Sequence, residues 1–328
     1  MQLEQTAADS RPATKPRLAR IDITRGIALL AMAIYHTGWD FEFFGYLDPG
    51  TTGHGGWKLF ARMIASSFLI LVGFSLVLAH GKGIRWRSFG IRLAQIAGAA
   101  FAITLVTWYM IPGSFIFFGI LHQIALASLL GLLFLWLPIP VIVLCAAVFV
   151  ALPFYYQSSL FDHPALWWVG LSTIFPRSND YVPLFPWFGA VLGGMALARI
   201  FQRFQLMPIL QNGTGFPLLD RPLTFIGGHS LAFYLTHQPI LIACVFLIAQ
   251  LLPPSMADQH ARFVQTCEQS CQMTNNGQLC HRFCACVTAK LDQAKLFDEL
   301  FENRMSTESP EVRGIADMCT KESEATGS

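Results

Sequence analysis

Residues 57–79, WKLFARMIASSFLILVGFSLVLA, carry Lys58 and Arg62 near one end and no charged residue from Met63 to Ala79. A helix needs about 20 mainly apolar residues to cross a hydrocarbon layer of ~30 Å, and this stretch supplies them. Lys58 and Arg62 are one helical turn apart, where long cationic side chains can snorkel to an interface. Six further stretches share this character, at approximately 22–44, 90–111, 116–136, 139–156, 184–201 and 223–250. The stretch at 139–156 is short and bounded by Pro138, Pro140 and Pro153. Another, Ala165 to Phe175, is too short to cross and suits an interfacial position, with Trp167 and Trp168 as anchors. The expected fold is all-α, a polytopic membrane helix bundle of about seven transmembrane helices in contact with a lipid bilayer.

Composition agrees. Of 328 residues 54% are hydrophobic and 13% charged, about half the charge of an ordinary soluble domain. Residues 1–256 hold 15 Lys+Arg against 9 Asp+Glu, whereas residues 257–328 hold 7 against 11. A basic, apolar body is thus followed by a mildly acidic, polar tail. No basic run with interleaved aromatics points to nucleic acid. The first 20 residues are polar, and the apolar stretch after them lacks a small-residue cleavage site, so it reads as a retained anchor.

Lys and Arg mark the inner side of a membrane protein. Arg11, Lys15, Arg17 and Arg20 precede the first span, Lys82, Arg85, Arg87 and Arg92 follow the second, and Arg199, Arg203 and Arg221 follow the sixth. The alternate loops are poor in such charge, with only Arg177 between residues 157 and 183. The amino terminus is expected in the cytoplasm and, with an odd span number, the carboxyl terminus outside: periplasmic, for a bacterial inner membrane.

Six of the eight cysteines lie in the tail, at Cys267, Cys271, Cys280, Cys284, Cys286 and Cys319. Disulfides persist outside the cytoplasm, so the cysteines and the charges give one orientation. Each of the pairs Cys267/Cys271 and Cys280/Cys284 has helical spacing, and Thr274-Asn275-Asn276-Gly277 supplies a turn between them. An antiparallel hairpin could join Cys267 to Cys284 and Cys271 to Cys280, leaving Cys286 for Cys319. Zinc ligation is the rival reading, and no metal is expected. The resulting division is a disordered cytoplasmic tail at 1–20, a transmembrane domain at 21–252, a cysteine-rich helical hairpin at 253–305 and a disordered tail at 306–328.

Ionisable residues at membrane depth are costly and mark function. In the first span Asp22, Arg25 and His36 share one helix face, with Arg25 and His36 about 16 Å apart along the axis. Asp40 follows His36 by four residues and could hold its ring. By helix rise, His36 and His237 lie about 20 Å from the inner ends of their spans and His122 about 9 Å from the outer end of its own, one common level. Each could equally serve only to hydrogen-bond a neighbouring helix. His229 with Ser230 reads as structural.

These residues resemble a known family. Arg25 and His36, ten residues between them, with Asp22 ahead, resemble the first-helix signature of membrane acyltransferase-3 enzymes. A nearer likeness is to bacterial relatives of heparan-α-glucosaminide N-acetyltransferase, carried by Asp22-Ile23-Thr24-Arg25-Gly26, His54-Gly55-Gly56-Trp57, Gly119-Ile120-Leu121-His122, Phe185-Pro186-Trp187-Phe188-Gly189 and Phe225-Ile226-Gly227-Gly228-His229-Ser230-Leu231. The likeness covers residues 20–245 and leaves out the cysteine tail. It implies transfer of an acetyl group from cytoplasmic acetyl-CoA to a sugar amine or hydroxyl on a glycan across the membrane. It also makes His54 or His36 the catalytic histidine. Asp40 would orient His36. Arg25, Lys82, Arg85 and Arg87 would attract the CoA phosphates, and Trp57, His122 and His237 would face the acceptor. The families have ten or more spans and a large luminal domain, so a homodimer would complete the site here.

Two other classes fit parts of the pattern. A small-molecule or proton-coupled transporter could use the intramembrane polar face, although no internal repeat is evident. A haem-binding membrane protein could use the histidines at one level, although no Cys-x-x-Cys-His motif is present. The last span has no lysine for a retinal Schiff base.

Overall fold

The computed structural model describes residues 18–211, 215–254, 256–272, 275–301, 305–306 and 309–325. Residues 1–17 of the tail expected at 1–20, including Arg11, Lys15 and Arg17, and Thr274 of the predicted turn lie outside the described residues, and Ala19 and Arg20 already belong to the first helix. The structure is 79% helical, without strands among the described residues. The helices are α1 (Ala19–Phe44), α2 (Gly55–His80), α3 (Trp86–Met110), α4 (Ile120–Phe134), α5 (Ile139–Tyr155), α6 (Leu184–Arg203), α7 (Pro217–Gly228), α8 (Ser230–Leu251), α9 (Met256–Cys271), α10 (Gly277–Gln293), α11 (Phe297–Phe301) and α12 (Pro310–Ala325).

The seven apolar stretches correspond to α1 to α6 and to α8, preceded by α7. Four helices, α2, α3, α6 and α8, are long and apolar enough to cross a membrane on length and composition alone. α1 has the length, at 26 residues, but carries more charge. α4 and α5 have 15 and 17 residues, hence ~22–26 Å of rise against ~30 Å of hydrocarbon. The seventh stretch, expected as one span from residue 223, breaks before α8. His229 leaves helical geometry at φ −110°, ψ 32°, directly after Gly227-Gly228, where backbone entropy weakens a helix.

The described residues form two compact units. One comprises the chain up to Ala33 together with Phe60–His237; the other comprises Ile34–Leu59 with Gln238 onward. In the first unit, Phe188, Val191, Leu192 and Met195 of α6 are fully buried, and a continuous apolar core surrounds them with Leu69, Ala127 and Ile142. α1 and α7 touch backbone to backbone: a Cβ built on Gly227 would lie 1.9 Å from the Asp22 carbonyl oxygen. Only glycine permits that approach, which sets the register of Asp22 and Arg25. The loop between α5 and α6 has short 3-10 turns at Ser159–Asp162 and Pro164–Val169. It is tied to the start of α4 by a bridge between Phe118 and Tyr181.

In the second unit α9, α10 and α12 are joined by three disulfides, Cys267–Cys284, Cys271–Cys280 and Cys286–Cys319. The first two are the pairs expected of an antiparallel hairpin, and the third joins the two cysteines that it leaves. Asn276 caps α10, its side chain accepting the Leu279 N–H at 2.9 Å. Part of the tail expected to be disordered at 306–328 is helical. α12 spans Pro310–Ala325, with Ile315 and Cys319 buried against Val287, Leu291 and Phe297. Its polar composition hid an apolar stripe that the Cys286–Cys319 bond fastens to α10.

Candidate active site

The first unit contains a cavity of about 1500 Å³. One face of α3 lines it, with Ser88, Arg92, Gln95, Ile96 and Ala99 repeating at helical spacing, beside Arg85 and Arg87 at its start. Arg25 closes it from α1, and His229, Ser230 and Tyr234 from the α7–α8 junction. Arg25 is held by Asp22, with Nη1 donating to Oδ1 at 3.0 Å, and by the Ser75 hydroxyl. The turn before α3 is fixed by the Arg85 N–H, which donates to His80 Nδ1 at 3.2 Å. Four guanidiniums line one cavity, and guanidiniums suit phosphates by planar, multidentate hydrogen bonding.

Of the four cations expected here, Arg25, Arg85 and Arg87 line the cavity and Lys82 does not. Lys82 sits exposed in the turn ahead of α3. Arg92 takes its place. Its position seven residues after Arg85 put it on the same face, a signal already present in the sequence. His229, which read as structural, also lines the cavity. Its Nδ1 lies 2.9 Å from the Phe225 carbonyl oxygen, which places the proton on Nδ1.

The second unit presents His54 from a tight loop. The loop is organised by Glu42 of α1, a residue with no motif to announce it. Its Oε1 accepts the Gly50 N–H at 2.6 Å, and its Oε2 accepts both the Thr52 N–H at 2.7 Å and the Thr52 hydroxyl at 2.6 Å. Gly50 has φ 84°, the left-handed region that glycine enters freely, and its carbonyl turns to His54 Nδ1 at 2.7 Å. The carbonyl can only accept, so Nδ1 carries the proton and the exposed ring offers Nε2 as a proton acceptor. Tyr35 extends the arrangement: its hydroxyl donates to the Thr52 carbonyl at 3.4 Å, and its ring lies 5.8 Å from His36 and 6.1 Å from Trp57. His36, His54 and Trp57 therefore belong to one unit.

Asp40 is fully buried, but its hydrogen bond comes from α8 rather than from His36. Gln238 Nε2 donates to Asp40 Oδ1 at 2.7 Å, so the expected Asp40–His36 pair gives way to one between helices. Asp40 Oδ2 and Gln238 Oε1 are buried and have no hydrogen-bond partner among the described residues. His237 points its Nδ1 at the Tyr234 carbonyl oxygen, 2.7 Å away, and stacks on Phe233.

His122 serves the fold with both ring nitrogens. Its Nδ1 accepts the Gly119 N–H at 3.2 Å, satisfying the amide just ahead of α4. Its Nε2 therefore carries the proton and donates to Thr104 Oγ1 at 3.2 Å, while that hydroxyl donates to the Ile116 carbonyl. Asp180 completes the cap by accepting the Ile120 N–H at 2.8 Å. Burial pushes the Asp180 carboxyl up to about 6, against the opposing pull of that hydrogen bond.

A family model described as heparan-alpha-glucosaminide N-acetyltransferase, catalytic, matches residues 17–239, more than half of the chain. No curated protein and no solved structure matches.

Proposed function

The chain belongs to the heparan-α-glucosaminide N-acetyltransferase catalytic family and is a membrane acetyltransferase, and we propose that its donor is cytoplasmic acetyl-CoA and its acceptor an extracytoplasmic sugar amine or hydroxyl. The observation that supports this reading is the tautomer of His54, set by Gly50 so that the exposed ring is left with Nε2 as an acceptor. In this reading Nε2 takes the proton from the acceptor nitrogen or oxygen as that atom attacks the thioester carbonyl. A new C–N or C–O bond forms, the C–S bond breaks, and the proton passes on to the departing thiolate. His36 is the alternative base, or a transient acyl carrier.

The arginine-lined cavity supports acetyl-CoA as donor. The diphosphate and the ribose phosphate are dianionic groups that Arg25, Arg85, Arg87 and Arg92 suit. Arg85, Arg87 and Arg92 belong to the Lys/Arg-rich segment that the positive-inside rule assigns to the cytoplasm. The same rule puts the amino terminus inside, and the three disulfides favour an extracytoplasmic tail, as in a bacterial inner membrane. A homodimer is the assembly to look for by cross-linking.

The test is transfer of labelled acetyl from acetyl-CoA to a glucosamine-terminated glycan in membranes holding the full chain. Arg92→Gln is expected to raise the acetyl-CoA KM about ten-fold with the acceptor KM unchanged. Undiminished transfer in a His36→Ala, His54→Ala double variant would exclude both histidines, and with them this mechanism.

A further inference from the structure

The family match ends at residue 239, yet the loop that holds His54 forms one compact unit with the chain beyond it. Three contacts make the connection. Gln265 of α9 donates from Nε2 to the Pro49 carbonyl at 3.0 Å. The Tyr46 hydroxyl donates to the Leu252 carbonyl at 2.6 Å, and Phe44 packs its ring 6.1 Å from Phe246. Pro49 directly precedes Gly50, the residue whose carbonyl fixes the His54 ring. The tail therefore grips the loop one peptide away from the group that sets the tautomer.

We propose that the disulfide-bonded tail is a working part of the acetyltransferase site, with Gln265 and Glu42 as positioning residues that together hold residues 49–52 and so aim His54. The proposal rests on His54 being the base. Glu42 accepts three donors from Gly50 and Thr52, which fixes the loop from the α1 side. Gln265 fixes it from the α9 side, where Pro49, lacking an N–H, offers the carbonyl as its backbone hydrogen-bonding group. α9 is itself immobilised: Cys267 and Cys271, two and six residues after Gln265, are bonded to Cys284 and Cys280 of α10. A helix of 16 residues with a polar face would not otherwise keep one glutamine in place. The tail thus supplies from outside the family domain a rigid support for the catalytic loop.

The experiment compares Gln265→Leu and Glu42→Gln with the unmodified full chain, each also in a His54→Ala background. Glutamine at position 42 would turn an amide donor towards the donors of Thr52, so it cannot replace the carboxylate. Each single variant is expected to lower kcat about ten-fold while the acetyl-CoA KM and the melting temperature stay near those of the parent. Neither is expected to lower activity further once His54 is alanine. Treating the unmodified protein with a membrane-impermeant phosphine that opens the tail disulfides should reproduce the kcat loss. Wild-type kcat in Gln265→Leu would overturn the proposal, as would a loss of equal size with and without His54. Full activity of His54→Ala alone would instead remove the base assignment on which it rests. An inactive His54→Ala with unaffected positioning variants would leave that assignment standing and sink only the role of the tail.

Discussion

The start of α4 and the loop before α2 are built alike and end differently. Each sets a histidine beside a turn whose backbone N–H groups are held by a carboxylate, Asp180 for Ile120 and Glu42 for Gly50 and Thr52. At α4 the ring of His122 takes one hydrogen bond and gives another, and its capacity is used up. At the α2 loop the ring of His54 gives its one proton to Gly50 and keeps an acceptor. Two histidines in similar turns therefore differ in the property that matters for catalysis, the hydrogen-bonding capacity left after folding. Depth in the membrane, which grouped His36, His122 and His237, does not report it.

The strongest way to break this contrast is to remove each ring. His54→Ala is expected to cut acetyl transfer by roughly 10²–10⁴-fold, the usual worth of a positioned base, with little change in melting temperature. His122→Ala should do the reverse. Losing two hydrogen bonds and leaving the Gly119 N–H buried costs about 2–3 kcal/mol of stability, measurable as a lower melting temperature in detergent, while kcat per folded molecule changes less than three-fold by the same assay. A His122 variant as inactive as His54→Ala, yet fully stable, would erase the distinction.

The carboxylates sharpen it. Burial raises the Asp180 carboxyl from its ordinary value of 3.8 to about 6, so the folded state favours its neutral form. The associated stability is complete below about pH 4 and is lost as pH rises through about 6. Asp180→Asn keeps an acceptor for the Ile120 N–H without the buried charge. It is therefore expected to stabilise by about 2 kcal/mol at pH 8 and by nothing at pH 4, in thermal melts at the two values. The smallest effect is chemical. Diethyl pyrocarbonate should modify His54 in the intact protein and spare His122, as peptide mapping would show.

The basic cavity and the His54 loop were unequally legible. The basic cavity follows from residue spacing: Arg85 and Arg92 are two turns apart, and charges confined to one helix face can be counted along the chain. Lys82 misled because charge in a loop shows no direction. Asp40 misled for a similar reason. Four residues after His36 is a neighbouring position on a helix, but the short carboxylate reaches across to Gln238, 198 residues later in sequence. Glu42 and Gln265 had no local signature. Their roles depend on the path of a loop and on a tail helix meeting it.

Apolar length located the membrane helices, and cysteine spacing offered the hairpin pairing that the tail adopts, because hydrophobic length and helical repeat are local properties of a chain. The family resemblance was likewise carried by short runs of residues. Only the tertiary structure decided which arginines share a cavity, that His54 keeps an acceptor nitrogen where His122 does not, and that the tail grips the His54 loop. Those facts depend on hydrogen bonds between distant segments, where each donor or acceptor has several possible partners until packing selects one.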